Sequence, residues 1–127
     1  MLTGQGFTLI LKQMLNYKTK PLDRAYQALG DATRRALVER LTAGPATVSE
    51  LARGQPMSLP AVMLHLKVLE ESGLVTSEKK GRVRTCAVVP AMLSEAERWI
   101  AERRAMWERS LDRLGAYLDE TKTEDAR

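Results

Sequence analysis

The chain has 127 residues, of which 44% are hydrophobic and 28% are charged, and its formal net charge is +4. These proportions are those of a folded, single-domain globular protein and exclude an intrinsically disordered chain. The single cysteine, Cys86, excludes an intramolecular disulfide and fits a reducing cytosol.

The positive charge is concentrated outside the C-terminal segment. Residues 31–90 hold nine basic residues against six acidic ones, whereas residues 91–127 hold seven against nine. This division favours a polyanion as partner of the middle of the chain and a protein as partner of its end. The apolar stretch at residues 7–11 is too short to span a bilayer, so no membrane association is expected.

The first predicted elements are an N-terminal extension over residues 1–21 and two helices. The extension is expected to be helical and to lie near a dimer interface. Met14 would itself be a plausible start, so residues 1–13 are either functional or dispensable. A helix over residues 22–30 follows, and Asp31 is the expected N-cap of the next helix.

Residues 47–53 and 58–72 are predicted to form two helices joined by a short turn. The sequence TVSE begins the first with a capping box, in which Thr47 accepts a backbone N–H while Glu50 reaches back. Ser58 is the expected N-cap of the second. The predicted core face of this second helix is Leu59, Val62, Leu66 and Leu69.

The hydrophobic period changes after Gly73. Residues 74–89 are typical of two strands joined by a turn at residues 79–81, and the tip and return strand of this hairpin contain basic residues without an acid. Two helices joined by a short turn and followed by such a hairpin indicate a winged helix-turn-helix, whose second helix enters the DNA major groove. The basic residues of the wing are Lys79, Lys80, Arg82 and Arg84.

A long helix is predicted over residues 90–118, with a polar tail over residues 119–127. Its apolar residues recur every three or four positions over a length greater than one small core can bury. Part of this apolar stripe is therefore expected to pack against another chain. Trp99 and Trp107 are interpreted as anchors of that interface or, alternatively, as the lining of an effector pocket. The predicted dimer residues are Leu93, Ala96, Trp99, Ile100, Met106, Trp107, Leu111 and Leu114.

The stretches AVMLHLKVLEESGLV and KKGRVR resemble the ArsR/SmtB-type winged helix-turn-helix transcriptional regulators, over residues 22–89. The resemblance implies a mainly α fold with a small β-hairpin, in the order α-α-α-α-β-β-α, that dimerises through its terminal helices. It also implies a homodimeric repressor that binds a palindromic inverted repeat in double-stranded DNA and is released by a signal.

The metal site of the founding members is missing. Where metal-sensing relatives place cysteines in the first helix of the unit, this chain has Thr47 and Ser49, and its terminal helix has no histidine. One His and one Cys cannot form a usual soft-metal site within one protomer. No metal and no cofactor are therefore predicted, and the inducer is expected to be an unidentified small molecule.

The second helix departs from the family at Met63 and Leu64, where relatives often have small polar or basic residues. Apolar side chains contact thymine methyl groups but form no hydrogen bonds with bases, so readout is expected to depend on T-rich positions, Ser58 and His65. Alternatively, Leu64 is buried and His65 is only a packing residue. The predicted DNA-binding residues are Ser58, Pro60, Ala61, Leu64, His65, Lys67, Arg34, Arg35, Lys79, Lys80, Arg82 and Arg84.

Enzymatic chemistry has no support in the sequence. No nucleophile–base pair, glycine-rich phosphate loop or metal-bound water site can be assembled, so no catalytic residue is predicted.

A winged-helix protein-interaction module is the alternative function, which the apolar Leu64 and Val68 would suit. Cys86 is either a buried inert thiol or a redox sensor without a resolving cysteine. The prediction is a cytoplasmic regulator of transcription.

Overall fold

The computed structural model describes residues 6, 8–9 and 21–125, so the predicted N-terminal extension lies almost entirely outside the described residues. Residues 21–125 form a mainly helical fold with a small antiparallel hairpin, which confirms the predicted fold class. The elements are α1 (Pro21–Leu29), α2 (Ala32–Thr42), β1 (Ala46–Thr47), α3 (Val48–Arg53), α4 (Leu59–Glu71), β2 (Val75–Lys80), β3 (Val83–Val88) and α5 (Pro90–Asp125).

Three helices begin at the polar residues that are predicted to cap them. Asp31 accepts the backbone N–H of the third residue after it, at 3.1 Å, and Ser58 does the same at 3.4 Å. Thr47 and Glu50 form the full capping box, with distances of 3.1 and 3.4 Å. Each cap satisfies a backbone N–H that no helical carbonyl can reach, so these residues fix where α2, α3 and α4 begin.

The strand β1 is an element that the sequence does not predict. Ala46 and Thr47 pair antiparallel with Cys86 and Thr85, which gives a three-stranded sheet in the order β1-β3-β2. Two residues are too few to show a hydrophobic period, so the sequence carries no signal for this strand. Its effect is to attach the return strand of the wing to the residues that immediately precede α3.

The turn of the hairpin lies two residues further along the chain than predicted. Lys79 and Lys80 belong to β2, and Lys80 pairs with Val83, so only Gly81 and Arg82 form the turn. Gly81 has a φ of +63°, whereas no residue other than glycine has a positive φ in the described chain. Glycine at the first of two turn positions is the pattern of a type II′ turn, which suits the twist of a hairpin.

The core lies among α1, α2, α3, α4 and the base of the sheet. The predicted core face of α4 is confirmed except at Leu59, which is 46% exposed. Leu59 is the first residue of α4, so its side chain lies beyond the end of the core and beside the wing. The largest fully buried side chains are Leu37, Leu41, Leu51, Val62, Leu69, Leu74 and Cys86.

The passage from α4 to the wing requires a glycine. Gly73 follows the C-cap of α4 with a φ of +81°, a conformation that residues with a Cβ rarely adopt. A Cβ at this position would also lie 3.1 Å from Cε of Met92. The direction in which the wing leaves α4 is therefore set by a residue that cannot easily be replaced.

The terminal helix is longer than predicted, because it ends at Asp125 and not at Leu118. The hydroxyls of Thr121 and Thr123 each donate to the carbonyl four residues earlier, at 2.9 Å, so this polar segment continues the helix. The chain divides into two compact units, residues 1–93 and 94–127, and the second contains most of α5.

Candidate nucleic-acid interface

Helix α4 has a buried face and an opposite face that its own chain leaves open. Pro60, Leu64 and Lys67 are exposed on the open face, and Leu64 is 67% exposed. The alternative that Leu64 is buried against a neighbouring helix is therefore wrong. Ala61 and His65 are half-buried on one flank of the helix. The second helix of the helix-turn-helix unit thus offers an apolar surface with one lysine.

The four basic residues of the wing do not all lie on the same side of it. Lys79 pairs directly with Arg84, and Cys86 follows Arg84 by two positions in the same strand. The side chains of Lys79 and Arg84 therefore lie on the same sheet face as Cys86, which is buried at the base of the sheet. Lys80 lies on the opposite face, and Arg82 is in the turn. Because Arg82 lies in the turn, it does not share one face of β3 with Arg84, although both line the same cleft beside α3 and α4.

The open cleft between α4 and the wing, which we call the helix–wing groove, consists of two adjoining parts. Their volumes are about 650 and 480 Å³, and Val48, Met63 and Arg84 line both. Met63 is 50% exposed and is absent from the predicted site. Its position one residue before Leu64 would have indicated it. The remaining lining residues are Thr47, Ser49, Leu59, Pro60, Leu64, Leu66, Lys67, Glu70, Lys79, Arg82 and Val83.

The rim of the helix–wing groove is strongly basic. Among its lining residues the cations are Lys67, Lys79, Arg82 and Arg84, and the only acid is Glu70. A concave surface with one sign of charge concentrates its field on a ligand of the opposite sign. The arrangement suits a polyanion that passes over an apolar floor.

The surroundings of two side chains, Arg84 and Glu70, affect the charge of the groove. Arg84 donates from Nη1 to Oγ of Ser77 at 2.9 Å, which holds the guanidinium along the wing. Oε1 of Glu70 is buried without a hydrogen-bond partner among the described residues. Glu70 therefore places a negative charge inside the otherwise basic groove, where sequence analysis assigns it no role.

Cys86 is fully buried beneath the sheet. Burial raises the pKa of its thiol, the carboxylate of Glu70 raises it further, and Arg84 acts in the opposite direction. A raised pKa keeps the thiol protonated, and the protonated form is a poor nucleophile. The structure favours the inert thiol over the redox sensor.

Arg34 and Arg35 bind the C-terminus of α1. Arg34 donates from Nε to the carbonyl of Ala28 at 2.7 Å and from Nη2 to that of Gln27 at 3.1 Å. Arg35 donates from Nη1 to the carbonyl of Leu29 at 2.8 Å. These carbonyls belong to the last turn of α1, where the regular helical bonding pattern ends, and the carbonyl of Gln27 also accepts the backbone N–H of Gly30 at 3.1 Å. The two guanidinium groups therefore cap α1. Their predicted contact with DNA stays a prediction, and their capping role is one that sequence reasoning missed.

His65 lies next to this cap. Its Nδ1 is 3.4 Å from Nη1 of Arg34. Arginine has no acceptor, so a hydrogen bond between the two requires a neutral imidazole that carries its proton on Nε2. The pKa of the neighbouring Asp31 is lowered, chiefly because its carboxylate accepts the backbone N–H of Arg34. His65 is thus half-buried beside the cap of α1, within hydrogen-bond distance of Arg34.

The second unit carries a stripe of exposed apolar side chains along α5, which we call the α5 stripe. Six predicted dimer residues belong to it, and Arg103 stacks over the ring of Trp99 at 4.8 Å. Leu93 is partly buried against the core of its own chain and Ala96 is buried, so these two predicted dimer residues are less exposed than the other six. The α5 stripe is Trp99, Ile100, Met106, Trp107, Leu111, Leu114, Tyr117 and Leu118.

The described residues offer no group of three His, Cys, Asp or Glu side chains that would hold a metal ion. Across the same part of the chain, no helix combines the length and the apolar character that crossing a membrane demands. Metal-independent action stays a prediction.

Comparison with known proteins places this geometry among regulators of transcription. A helix-turn-helix domain family matches residues 29–78. The HTH-type transcriptional regulator Rv2034 of Mycobacterium tuberculosis is 46% identical over 97 residues, which cover 76% of this chain and 88% of the relative. A crystal structure of an ArsR family transcriptional regulator is 49% identical, covers 69% of this chain and 91% of its own, and superposes with a TM-score of 0.66.

An ArsR-like transcriptional regulator from Rhodococcus sp. RHA1 is 32% identical, covers 74% of this chain and 89% of its own, and has a TM-score of 0.66. Two matches are more distant. The transcriptional repressor SdpR of Bacillus subtilis is 23% identical over 62% of this chain and 88% of the relative. A homodimeric winged helix-turn-helix domain from Mycobacterium bovis, 18% identical over 87% of this chain and 91% of its own with a TM-score of 0.53, shares the fold.

Proposed function

This chain belongs to the ArsR-type helix-turn-helix transcriptional regulators, and from that premise we propose that it represses transcription as a homodimer on an inverted-repeat operator. Helix α4 lies in the major groove of each half-site, and the wing contacts the phosphates beside it. Two reading heads related by a two-fold axis require half-site centres about 34 Å apart, or a multiple of that distance.

The observation that carries the proposal is the basic rim of the helix–wing groove. Lys67 on α4 and Lys79, Arg82 and Arg84 on the wing line one continuous cleft with a single acid, Glu70. Phosphate contacts supply much of the affinity of such proteins for DNA, and the groove holds one cation on the exposed face of α4 and three on the wing beside it. This supports DNA as the ligand of that face.

The α5 stripe supports the homodimer. Its members are between 42% and 64% exposed in a single chain, an unusual amount of open apolar surface for one helix. A helix of 36 residues is about 54 Å long, which exceeds what the core of one small domain can cover. A second copy that pairs along the stripe buries it, and the N-terminal extension is proposed to lie close to this interface.

The remaining parts of the proposal concern regulation. Repression is supported by the similarity to SdpR, which is itself a transcriptional repressor, and the lack of a ligand cluster in the described residues supports action without a metal. We place the protein in the cytoplasm, where its operator is accessible. The release signal is an unidentified small molecule, and non-enzymatic action follows the relatives, which are transcriptional regulators.

The test is a salt titration of binding by the full chain to a duplex selected from random DNA. The logarithm of the binding constant should fall linearly with the logarithm of the salt concentration. Arg82→Ala with Arg84→Ala should lower the slope by about one for each phosphate that the wing no longer neutralises. Arg109→Ala, which removes one arginine charge from the side of α5 away from the stripe, should leave the slope unchanged.

An unchanged slope in the wing variant would remove the wing from the interface. A complete lack of salt-dependent binding at low salt would instead favour the second candidate, a winged-helix protein-interaction module. The exposure of Leu64 and Met63 is the observation that favours this candidate, because apolar side chains also suit a protein partner.

A further inference from the structure

The open face of α4 is chemically unusual for a surface that reads DNA. Of its seven exposed positions, Lys67 and Glu71 are charged and the other five are apolar. Hydrogen bonds to base edges are the ordinary means of base recognition, and these five side chains cannot make any. The apolar positions are Leu59, Pro60, Met63, Leu64 and Val68.

We propose that Leu64 and Met63 read the 5-methyl group of thymine, so that each half-site of the operator requires thymine opposite the middle of α4. The proposal rests on the DNA binding proposed above and adds the base that the surface selects. Thymine is the only unmodified base that offers a methyl group in the major groove. The contact is therefore specific although it contains no hydrogen bond.

Leu64 and Met63 are both exposed on the open side of α4, as a contact with a thymine methyl group requires. Leu64 lies on the side of α4 opposite the core and is 67% exposed, so nothing in the described part of the chain covers most of it. Met63, 50% exposed, lies about a quarter turn away, towards the wing, and forms part of the floor of the helix–wing groove. Together they give an apolar surface that runs from the middle of α4 to the wing.

The charges around this surface identify its occupant as DNA and not as an apolar protein. Lys67 stands one turn beyond Met63 and Leu64, and Lys79, Arg82 and Arg84 line the wing side of the same groove. Glu70 is the only opposing charge in its lining. A hydrophobic protein surface would leave four cations unpaired, whereas a duplex offers phosphates on both sides of the groove that carries the methyl groups.

The test removes the methyl group from the DNA and leaves the protein intact. Half-sites selected from random DNA should contain at least one invariant thymine, and replacement of that thymine by deoxyuridine should weaken binding about fourfold for each methyl group removed. Leu64→Ser should bind the thymine and deoxyuridine duplexes almost equally. Because Leu64 is exposed, this variant keeps its fold, which circular dichroism checks.

Two controls separate methyl recognition from general affinity. Lys79→Ala should weaken binding to both duplexes by the same factor and keep their ratio at about four. In a second arm, 5-methylcytosine placed at the invariant position should bind more tightly than unmodified cytosine, since it restores the methyl group without the other features of thymine.

The outcomes distinguish the two proposals. Selected half-sites without thymine, or equal affinity of the wild-type protein for thymine and deoxyuridine duplexes, would overturn methyl recognition and leave DNA binding intact. A thymine preference that persists unchanged in both Leu64→Ser and Met63→Ser would also overturn it. Failure to bind any duplex would overturn the proposed function itself, and a protein partner that docks on Leu64 would then become the better account.

Discussion

Two apolar surfaces are open in the described part of the chain, and the charges around them differ. The floor of the helix–wing groove is bordered by Lys67, Lys79, Arg82 and Arg84, with Glu70 as the single acid. The α5 stripe lies on a helix whose residues 94–123 include seven acids and six bases. Some of these form ion pairs along the helix, such as Arg98 with Glu95 at 2.8 Å.

This difference in surrounding charge indicates which class of partner each surface binds. Apolar area alone favours burial by any partner, whereas the net charge of the surroundings selects the class of partner. A surface bordered by one sign of charge suits a polyanion, and a surface bordered by balanced charges suits another protein chain. Substitutions on either surface can test this assignment, and the largest effect is expected on α5.

The first prediction concerns the α5 stripe. Leu111→Asp with Leu114→Asp places two carboxylates in the proposed dimer interface, so the protein should become monomeric in light scattering. Operator affinity should fall roughly a hundredfold or more, because two linked reading heads bind far more tightly than one. Arg109→Asp with Ala116→Asp, on the opposite face of α5, should remain dimeric. If the protein with Leu111→Asp and Leu114→Asp stays dimeric, the α5 stripe binds some other partner.

The second prediction compares two leucines on opposite faces of α4. Leu69 is fully buried, so Leu69→Ala should lower the free energy of unfolding by about 2–5 kcal/mol in urea titrations at fixed protein concentration. Leu64→Ala should change that free energy by no more than about 0.5 kcal/mol, because the side chain is already exposed. Equal losses in the two variants would mean that Leu64 serves the fold and not a partner.

Much of the fold could be predicted from local chemistry. Thr47, Ser58 and Asp31 indicate the starts of three helices because each side-chain oxygen accepts the backbone N–H of the residue three positions later. The sequence places the start of the terminal helix correctly at Pro90, but its polar end has no apolar period, so its last seven residues are assigned to a tail. The helix nevertheless continues through this polar segment, where the hydroxyls of Thr121 and Thr123 bond to carbonyls of the same helix.

The site was harder to predict because it depends on which elements meet. Sequence spacing places Leu64 and Lys67 on one face of α4, but the side of the wing that Lys79 and Arg84 occupy follows from their pairing in the sheet. The capping of α1 by Arg34 joins residues six apart in two different helices. Contacts between separate elements produce no hydrophobic period in the sequence, so they become visible only in the folded structure.

A third prediction sharpens the assignment of the groove. Glu70→Gln removes its only acid, so affinity for a duplex should rise about twofold to fivefold, a range typical of one partly solvated charge. Anisotropy titrations at low and high salt measure this gain, which screening should reduce. Glu78→Gln, on the opposite face of the wing, should have a smaller effect. Weaker binding by Glu70→Gln would show that this carboxylate supports the groove.

The smallest effect is expected at Asp31, at the start of α2. Its pKa lies below the ordinary value of 3.8, chiefly because it accepts the backbone N–H of Arg34, so the folded state favours the ionised form. The stabilisation is complete above the unfolded pKa and is lost as the pH falls through the lower folded pKa. Asp31→Asn should therefore be less stable than the wild-type protein at neutral pH, and this difference should shrink as the pH falls through the folded pKa of Asp31.

Two methionines of matched exposure test the assignment of the two surfaces most directly. Met63 in the helix–wing groove is 50% exposed in a single chain, and Met106 on the α5 stripe is 53% exposed. Peroxide oxidation read by mass spectrometry should modify Met63 and spare Met106 in the free dimer. A saturating operator duplex should then protect Met63 as well. Equal oxidation of the two residues in the free protein, or a Met63 that remains reactive on saturating DNA, would contradict the account.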